Sequence, residues 1–266
     1  MNEGAFFDLD KTLLPGSSLF PLARELYRRR IFTMRDILRL GVDQLTFRIA
    51  GSEGEGRVNR ARDASLQAVT DRPRSEIVEL GRSVAREELL PRLYPQAVEL
   101  LSRHKRAGRE VYICSSSPED YLVLLARELD IDGVVGSRAE VVDGRYTGRL
   151  DGLLCHDVEK ARRVSELAAA RDIDLSRSFA YTDSIEDLAM LELVGNPVAM
   201  NPDRSLVAEA RRRGWQVLDY RTARRRTLVG SAAGATAAAV AAAGYAAGYA
   251  VGRSRGMQAA GSRGAK

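Results

Sequence analysis

The stretch GAFFDLDKTLL, residues 4–14, decides how the remainder of the chain is organised. Ala5, Phe6 and Phe7 form a short apolar run that predicts a buried strand, and Asp8 and Asp10 follow at its carboxyl end. Residues i and i+2 of a strand point the same way, so both acids face one small volume if the extended geometry continues past Asp8. Like charges held together repel unless a cation or a bound proton offsets them. The pair therefore reads as half of a metal or acid-base site. Taken alone, Asp-x-Asp-x-Thr also occurs where a strand simply ends in a solvated polar turn.

Behind the acids the pattern changes. Pro15 and Gly16 break the chain, and Ser17-Ser18 can cap a helix that begins after them. Leu19, Leu22, Ala23 and Leu26 recur at helical spacing, then Ile37, Leu38, Leu45 and Ile49, then Ile77, Leu80, Val84 and Leu89. No convincing strand interrupts them, so residues 15–93 are expected to form a helical insertion. It is either a packing subdomain or a cap that shuts water out of a site formed by the acids.

Downstream, strands alternate with helices. A helix over 95–107 precedes a strand at 110–114, which empties into Ser115-Ser116-Ser117-Pro118 and a further helix. Hydroxyls at such a junction suit an anion, particularly a phosphate, although any Ser there also serves as an ordinary N-cap. Residues 133–136 form another short strand, and 139–150 a hairpin with Asp143-Gly144 in its turn. A helix opening at 157 or 158 carries Lys160 near its start, where the dipole prefers anions; Lys160 is either a phosphate ligand or a surface lysine. The strand at 178–182 ends in Asp183-Ser184-Ile185-Glu186-Asp187, whose two aspartates can point toward one cavity. Strands at 196–200 and 216–218 flank a helix over 203–213. This alternation predicts a doubly wound, mostly parallel α/β sheet, Rossmann-like in class, with ligands beyond the carboxyl ends of its strands.

Composition narrows the function classes. Of 266 residues, 45% are hydrophobic and 29% charged, values of a globular chain, which argues against disorder. The net charge of +5 rests almost wholly on Arg, dispersed between acids along the helical patterns, and aromatic interleaving is missing, so no nucleic-acid partner is expected. Cys114 and Cys155 lack paired spacing and suit buried packing better than a zinc site. The first residues carry no basic stretch followed by an apolar one, which leads us to expect no signal peptide and a cytoplasmic catalytic part.

Asp8-Leu9-Asp10-Lys11-Thr12, Ser115, Lys160, and Asp183 with Asp187 resemble, in order, the four motifs of the haloacid dehalogenase-like hydrolase superfamily. The resemblance spans nearly all of residues 4–218, and the insertion is similar to the cap of its phosphoserine-phosphatase-like branch, subfamily IB. It implies a catalytic core of residues 1–14 and 94–222, a helical cap of 15–93, and a linker and tail of 223–266. It also implies a Mg²⁺-dependent hydrolase of a small phosphorylated metabolite or a lipid-related phosphomonoester, acting through an aspartyl-phosphate. Asp8 is then the nucleophile, and Asp10 the acid that protonates the leaving oxygen and later activates water. Ser115 and Lys160 bind phosphoryl oxygens, while Asp8, Asp10 through its carbonyl, Asp183 and Asp187 hold or orient the metal. His104 and His156 have no part in this scheme. The branch's phosphoserine phosphatases usually carry a glutamate where this chain has Ser17, so phosphoserine is not the favoured substrate and Ser17 is a substrate-facing cap residue. Other readings are a phosphate-binding or phosphotransfer protein with little turnover, or a membrane-tethered interaction protein on a phosphatase scaffold.

The final segment differs in character. Residues 227–252 hold no charge in twenty-six positions, with Arg224, Arg225 and Arg226 before them and Arg253 and Arg255 after. That matches the roughly 20 residues a spanning helix needs, yet twelve are Ala and five Gly, so the driving force is weak. Gly244, Gly248 and Gly252 recur every fourth position, as in helices that pair in lipid. A C-terminal transmembrane or membrane-associated helix, capable of self-association and of anchoring the protein to the cell membrane, is the expectation. A low-complexity tail or a helix lying against the protein are its alternatives.

Overall fold

The apolar run at 5–7 becomes the strand about which a parallel sheet is arranged. The computed structural model describes residues 2–31, 66 and 69–221. Strand β1 (Gly4–Phe7) pairs in parallel with β2 (Glu110–Pro118) on one side and β6 (Phe179–Thr182) on the other. With β3 (Gly133–Ser137), β7 (Asn196–Met200) and β8 (Gln216–Leu218) the order is β3-β2-β1-β6-β7-β8, and every pairing is parallel. β4 (Ala139–Val142) and β5 (Arg145–Leu150) form a separate antiparallel hairpin. Asp143 and Gly144 turn it with φ of 49° and 73°, the left-handed pair that a two-residue hairpin loop demands.

Helices cover both faces of the sheet, and the strands alternate their side chains between two apolar clusters. Ala5 and Phe7 point toward α3 (Pro95–Arg106) and α4 (Glu119–Glu128), meeting Leu101, Leu122 and Leu125. Phe6 points the other way, toward α5 (Asp157–Ala170), α6 (Leu188–Glu192) and α7 (Arg204–Arg213), meeting Val164, Met190 and Leu206. Sequence order runs outward from β1 through β2 to β3, then resumes at β6 on the opposite side. The boundary between β1 and β6 is thus the topological switch point, where the carboxyl ends of strands leave a crevice.

Between β1 and α3 the chain runs through a helical insertion, crossing out after β1 and back before α3. Its two crossings are joined, since the Tyr94 N–H donates to the Leu13 carbonyl at 2.9 Å and Arg92 Nη2 to the Pro15 carbonyl at 3.1 Å. Helices α1 (Leu19–Arg28) and α2 (Arg74–Val84) are described, along with a π-helical turn at Ala85–Leu89 and a 3₁₀ turn at Leu90–Arg92. Leu22 and Leu26 of α1 and Leu80 and Val84 of α2 belong to the same apolar cluster as Phe7 and Leu13. Gly81 lets α2 approach α4 closely, because a Cβ there would stand 3.1 Å from Leu124 Cδ1. The helical periodicity expected around 37–49 lies outside the described residues.

Two expectations change. The strand at 110–114 continues to Pro118 through a register shift, and the N-cap of α4 is Pro118 with no side-chain cap hydrogen bond. The Ser run is therefore the end of a strand and not a helix cap, and Glu119 and Asp120 occupy the first turn of α4. The membrane expectation is also corrected. Among the described residues no helix is long and apolar enough to cross a membrane, and residues 227–252 themselves lie outside the described residues. The physical reason is already in the composition, since Ala and Gly bury little apolar area per residue. The expected transmembrane helix falls with this, and with it the membrane anchoring and association, the self-association within lipid and the membrane-tethered interaction protein.

Candidate active site

Asp8 is the first residue beyond β1, and its N–H still donates to the Tyr181 carbonyl of β6 at 2.8 Å. The backbone pairing thus delivers its carboxylate to the switch point. There Asp8 Oδ1 accepts from Lys160 Nζ at 3.0 Å and Oδ2 from the Thr12 hydroxyl at 3.0 Å. Lys160, in the first turns of α5, reaches a second carboxylate at 2.7 Å, that of Asp187. Asp187 ends the 3₁₀ turn Ile185–Asp187, and its other oxygen accepts from the Thr182 hydroxyl at 2.6 Å. Asp183 follows β6, and its Oδ1 lies 3.4 Å from the Thr12 hydroxyl that serves Asp8. Asp8, Thr12, Lys160, Asp183 and Asp187 are all buried. The structure therefore brings four of the sequence-derived residues, Asp8, Lys160, Asp183 and Asp187, into one cluster.

Electrostatics follow from burial and from one buried ammonium, that of Lys160, shared by Asp8 and Asp187. Burial raises the Asp8 carboxyl to about 6, with Lys160 opposing the rise and Asp187 and Asp10 adding to it. Burial, reinforced by Asp8, pushes Asp183 up to about 8. Burial disfavours the Lys160 ammonium, but Asp187 and Asp8 outweigh it and hold the lysine protonated, above its ordinary value. Asp10 is raised by burial too, while hydrogen bonds from Ser18 and Ser17 counter the shift.

Asp10 sits on the cap side of this cluster, where its Oδ1 accepts from the Ser18 N–H at 2.8 Å. Ser17 lies beside it; its hydroxyl oxygen also accepts from the Leu19 N–H at 3.2 Å. Ser115 is buried near the end of β2, and its hydroxyl oxygen accepts from the Ser117 N–H at 3.2 Å. Of the two histidines, His104 stands apart from the carboxylate cluster, whereas His156 lies at its edge, within electrostatic reach of Lys160 and Asp187. His104 Nε2 is 2.8 Å from the Tyr181 hydroxyl within the aromatic packing of Phe7 and Phe179, and burial lowers its pKa to about 4. His156 occupies the N-cap position of α5 without a side-chain hydrogen bond to that helix, and its ring pairs with Glu186 at 3.3 Å.

Sequence reasoning missed Asn201 and Asp203. Asn201 is buried after β7, and its Nδ2 donates to the Lys11 and Thr12 carbonyls at 3.2 and 3.0 Å, clamping the loop that carries Asp10 and Thr12. Asp203 caps α7 through the Leu206 N–H at 2.7 Å, and its own N–H donates to the Asp183 carbonyl at 2.7 Å. The only signal in the sequence was Asn-Pro-Asp directly after an apolar strand, a turn cue that gives no hint of its distant partners.

A hard divalent cation fits these residues. Asp8 and Asp183 offer hard carboxylate oxygens at one place, and burial, with each other's or a neighbouring carboxylate's charge behind it, raises the proton affinity of both. Among the described residues no group of three or more His, Cys, Asp or Glu forms a complete metal cage. Mg²⁺ does not require one, since it is held by one or two carboxylates with waters and substrate phosphate oxygens. Asp187 is engaged by Lys160 and Thr182, and the Asp10 carboxylate by Ser18.

A cation held by Asp8 and Asp183 would leave a thermodynamic signature. Both carboxyls bind protons more tightly in the native state than their ordinary value of 3.8. Without a cation their contribution to stability falls as pH rises through the window from about 4 to 8. Thermal unfolding with Mg²⁺ and with EDTA should show a larger Mg²⁺-induced rise in Tm at pH 8 than at pH 5. An equal shift at both values, or none at either, would contradict a cation on these two groups.

Comparisons with known proteins agree with this fold. The model of the haloacid dehalogenase-like hydrolase family matches residues 5–192. A Mycobacterium tuberculosis protein called phosphoserine phosphatase SerB1 is 38% identical over 230 residues, covering 86% of this chain and 75% of its own. The inhibition of morphological differentiation protein of Streptomyces azureus is 36% identical over 217 residues, covering 81% of this chain and 78% of its own. Among solved structures, a Bordetella pertussis protein of unknown function superposes with a TM-score of 0.73 at 29% identity, covering 83% of this chain and 99% of its own. The chain belongs to the haloacid dehalogenase-like hydrolase superfamily, in its phosphoserine-phosphatase-like branch, and is a phosphatase of that family.

Proposed function

We propose that the chain hydrolyses a small phosphomonoester, with Asp8 as the group that is phosphorylated and released again in each cycle. The observation that carries this reading is the convergence of Asp8, Lys160, Asp183 and Asp187 at the switch point of the sheet. Asp8 attacks phosphorus as the bond to the leaving oxygen breaks. A carboxyl held at about 6 is mostly ionised at pH 7, so no separate base is needed. Asp10 gives its proton to the leaving oxygen and then takes one from the water that hydrolyses the aspartyl-phosphate, and burial favours its protonated form for the first task. Lys160, kept charged by Asp187, neutralises a phosphoryl oxygen, and the Ser115 hydroxyl binds another. Asp8, Asp183 and the Asp10 carbonyl would hold Mg²⁺, which would supply charge neutralisation at the phosphoryl group. Residues 1–14 and 94–222 are the catalytic core in this reading, and 15–93 the cap over it.

Acid-quenched enzyme mixed with a turned-over phosphomonoester and Mg²⁺ tests the reading. The peptide containing Asp8 should gain the mass of one phosphoryl group, and a phosphate appearing elsewhere, or turnover without any such adduct in repeated quenches, would count against it.

The substrate is proposed to lack a recognised ammonium group. Ser17 stands beside Asp10 where the branch's phosphoserine phosphatases usually place a glutamate, and a hydroxyl offers an ammonium no charge. The names of two relatives make the comparison concrete, phosphoserine phosphatase SerB1 and a histidinol-phosphatase of Neisseria meningitidis that is 33% identical over 152 residues. Across a panel with phosphoserine, histidinol phosphate and uncharged alcohol phosphates, kcat/KM for phosphoserine should lie at least about tenfold below the best member, the value of one lost charge-assisted hydrogen bond. Phosphoserine at the head of the panel would mean that another acid receives its ammonium.

A further inference from the structure

We propose that Ser18 is a positioning residue that joins the Asp10 carboxylate to the Ser115–Ser117 loop, so that the leaving-group side and the phosphate side of the site are held in one register. A serine at the start of a helix ordinarily caps it. Ser18 occupies the N-cap of α1 but makes no side-chain hydrogen bond to that helix, and the Leu19 N–H is served by Ser17 instead. Its hydroxyl is fully buried and lies 3.0 Å from the equally buried hydroxyl of Ser117. Its N–H donates to Asp10 Oδ1 at 2.8 Å, and its carbonyl accepts from the Tyr121 hydroxyl at 3.3 Å. From Ser117 the connection continues, because the Ser117 N–H donates to Ser115 Oγ at 3.2 Å.

One residue therefore commits its three polar groups to three different parts of the fold: the loop after β1, the end of β2 and the start of α4. Each hydroxyl carries a single proton. When Ser117 donates to Ser18, the Ser18 proton remains available to Asp10; when Ser18 donates to Ser117, Ser18 holds the carboxylate through its backbone N–H only, beside the Ser17 hydroxyl. In both arrangements the hydroxyl pair pins the backbone that orients Asp10. Ser18 also stands where the chain enters the cap helix, so movement of α1 is transmitted to Asp10 and Ser117 together.

The inference rests on the reading of Asp10 as the acid, and the test separates the two. In the first half-reaction a bond forms between an Asp8 oxygen and phosphorus, the bond from phosphorus to the leaving oxygen breaks, and the Asp10 proton goes to that oxygen. An alkoxide needs the proton, whereas p-nitrophenolate leaves without it. Ser18→Ala should lower kcat/KM for β-glycerol phosphate by about 10- to 100-fold and for p-nitrophenyl phosphate by less than about threefold. Ser117→Ala should show the same selectivity, the double variant should be no worse than Ser18→Ala because one contact is shared, and Ser18→Thr should restore the alkyl rate.

Asp10→Asn is the control. If it lowers kcat/KM, which reports the phosphorylation half-reaction and not the later hydrolysis, for both substrates alike, the acid reading fails. If it is selective while Ser18→Ala and Ser117→Ala slow both substrates alike or neither, the acid stands and the Ser18 inference is overturned. Should Ser18→Ala not fold, Ser117→Ala, which leaves every backbone contact of Ser18 in place, decides by the same criterion.

Discussion

Asp8→Asn should reduce kcat by at least about four orders of magnitude, the scale on which removal of a nucleophile acts, while the protein remains folded. The substitution removes the attacking charge and hardly changes volume. Of the two donors to Asp8, the Thr12 hydroxyl can keep the amide oxygen, while Lys160 loses this acceptor but keeps its 2.7 Å partner in Asp187. One source of repulsion on Asp183 also disappears, since Asp8 is the second cause of its raised proton affinity after burial. The Tm of the metal-free variant should therefore equal or slightly exceed that of the parent. Steady-state rates with Mg²⁺ and thermal scans with EDTA measure both halves of the statement. Near-parental turnover in this variant would sink the assignment of Asp8, and EDTA should halt the parent enzyme reversibly.

Lys160→Met is expected to injure both stability and activity. The ammonium is buried between Asp8 at 3.0 Å and Asp187 at 2.7 Å, and methionine fills a similar volume without charge. Removing one partner of a buried ionic set leaves the others uncompensated, at a cost of about 3–5 kcal/mol, or about 10 °C in Tm for a chain of this size. The loss has a definite pH dependence. Lys160 is what opposes the rise of the Asp8 carboxyl above about 6, so without it the native state binds protons still more tightly than the unfolded chain does. Native carboxyls with raised affinity lose stability as pH rises, so the deficit should be greatest near pH 8 and shrink toward pH 5. Loss of the fixed positive charge should also lower kcat/KM by about a hundred- to a thousandfold. Adding Asp187→Asn removes one of the stranded carboxylates and should return much of the stability but none of the activity. An unaltered Tm in the single variant would show that water reaches these carboxylates freely.

Much of the fold is determined by residues acting locally. Apolar runs at 5–7, 179–182 and 196–200 become strands because a parallel strand sandwiched by helices must be apolar on both faces. Asp143-Gly144 forms its turn because both positions need positive φ. The Ser run misled on local grounds as well: Ser before a helical pattern resembles a cap, and only the pairing of Pro118 with Ser137 of β3 reveals that the strand has not yet ended. The Ala-rich segment misled through length, since absence of charge is not the same as apolar area.

What the tertiary structure decided was contact. Parallel strands leave open on which side of β1 each successor lies, so the switch point between β1 and β6 followed only from the assembled sheet. Chain order predicts acids, a serine and a lysine near strand ends, but not that Lys160 bridges Asp8 and Asp187, nor that Thr12 stands between Asp8 and Asp183. Ser18 and Ser117 are 99 residues apart, Asp8 and Lys160 152, and Thr12 and Asn201 189. A side chain's own sequence neighbourhood sets its periodicity and its turn, whereas its hydrogen-bond partner is set by which strand ends the closed sheet brings together.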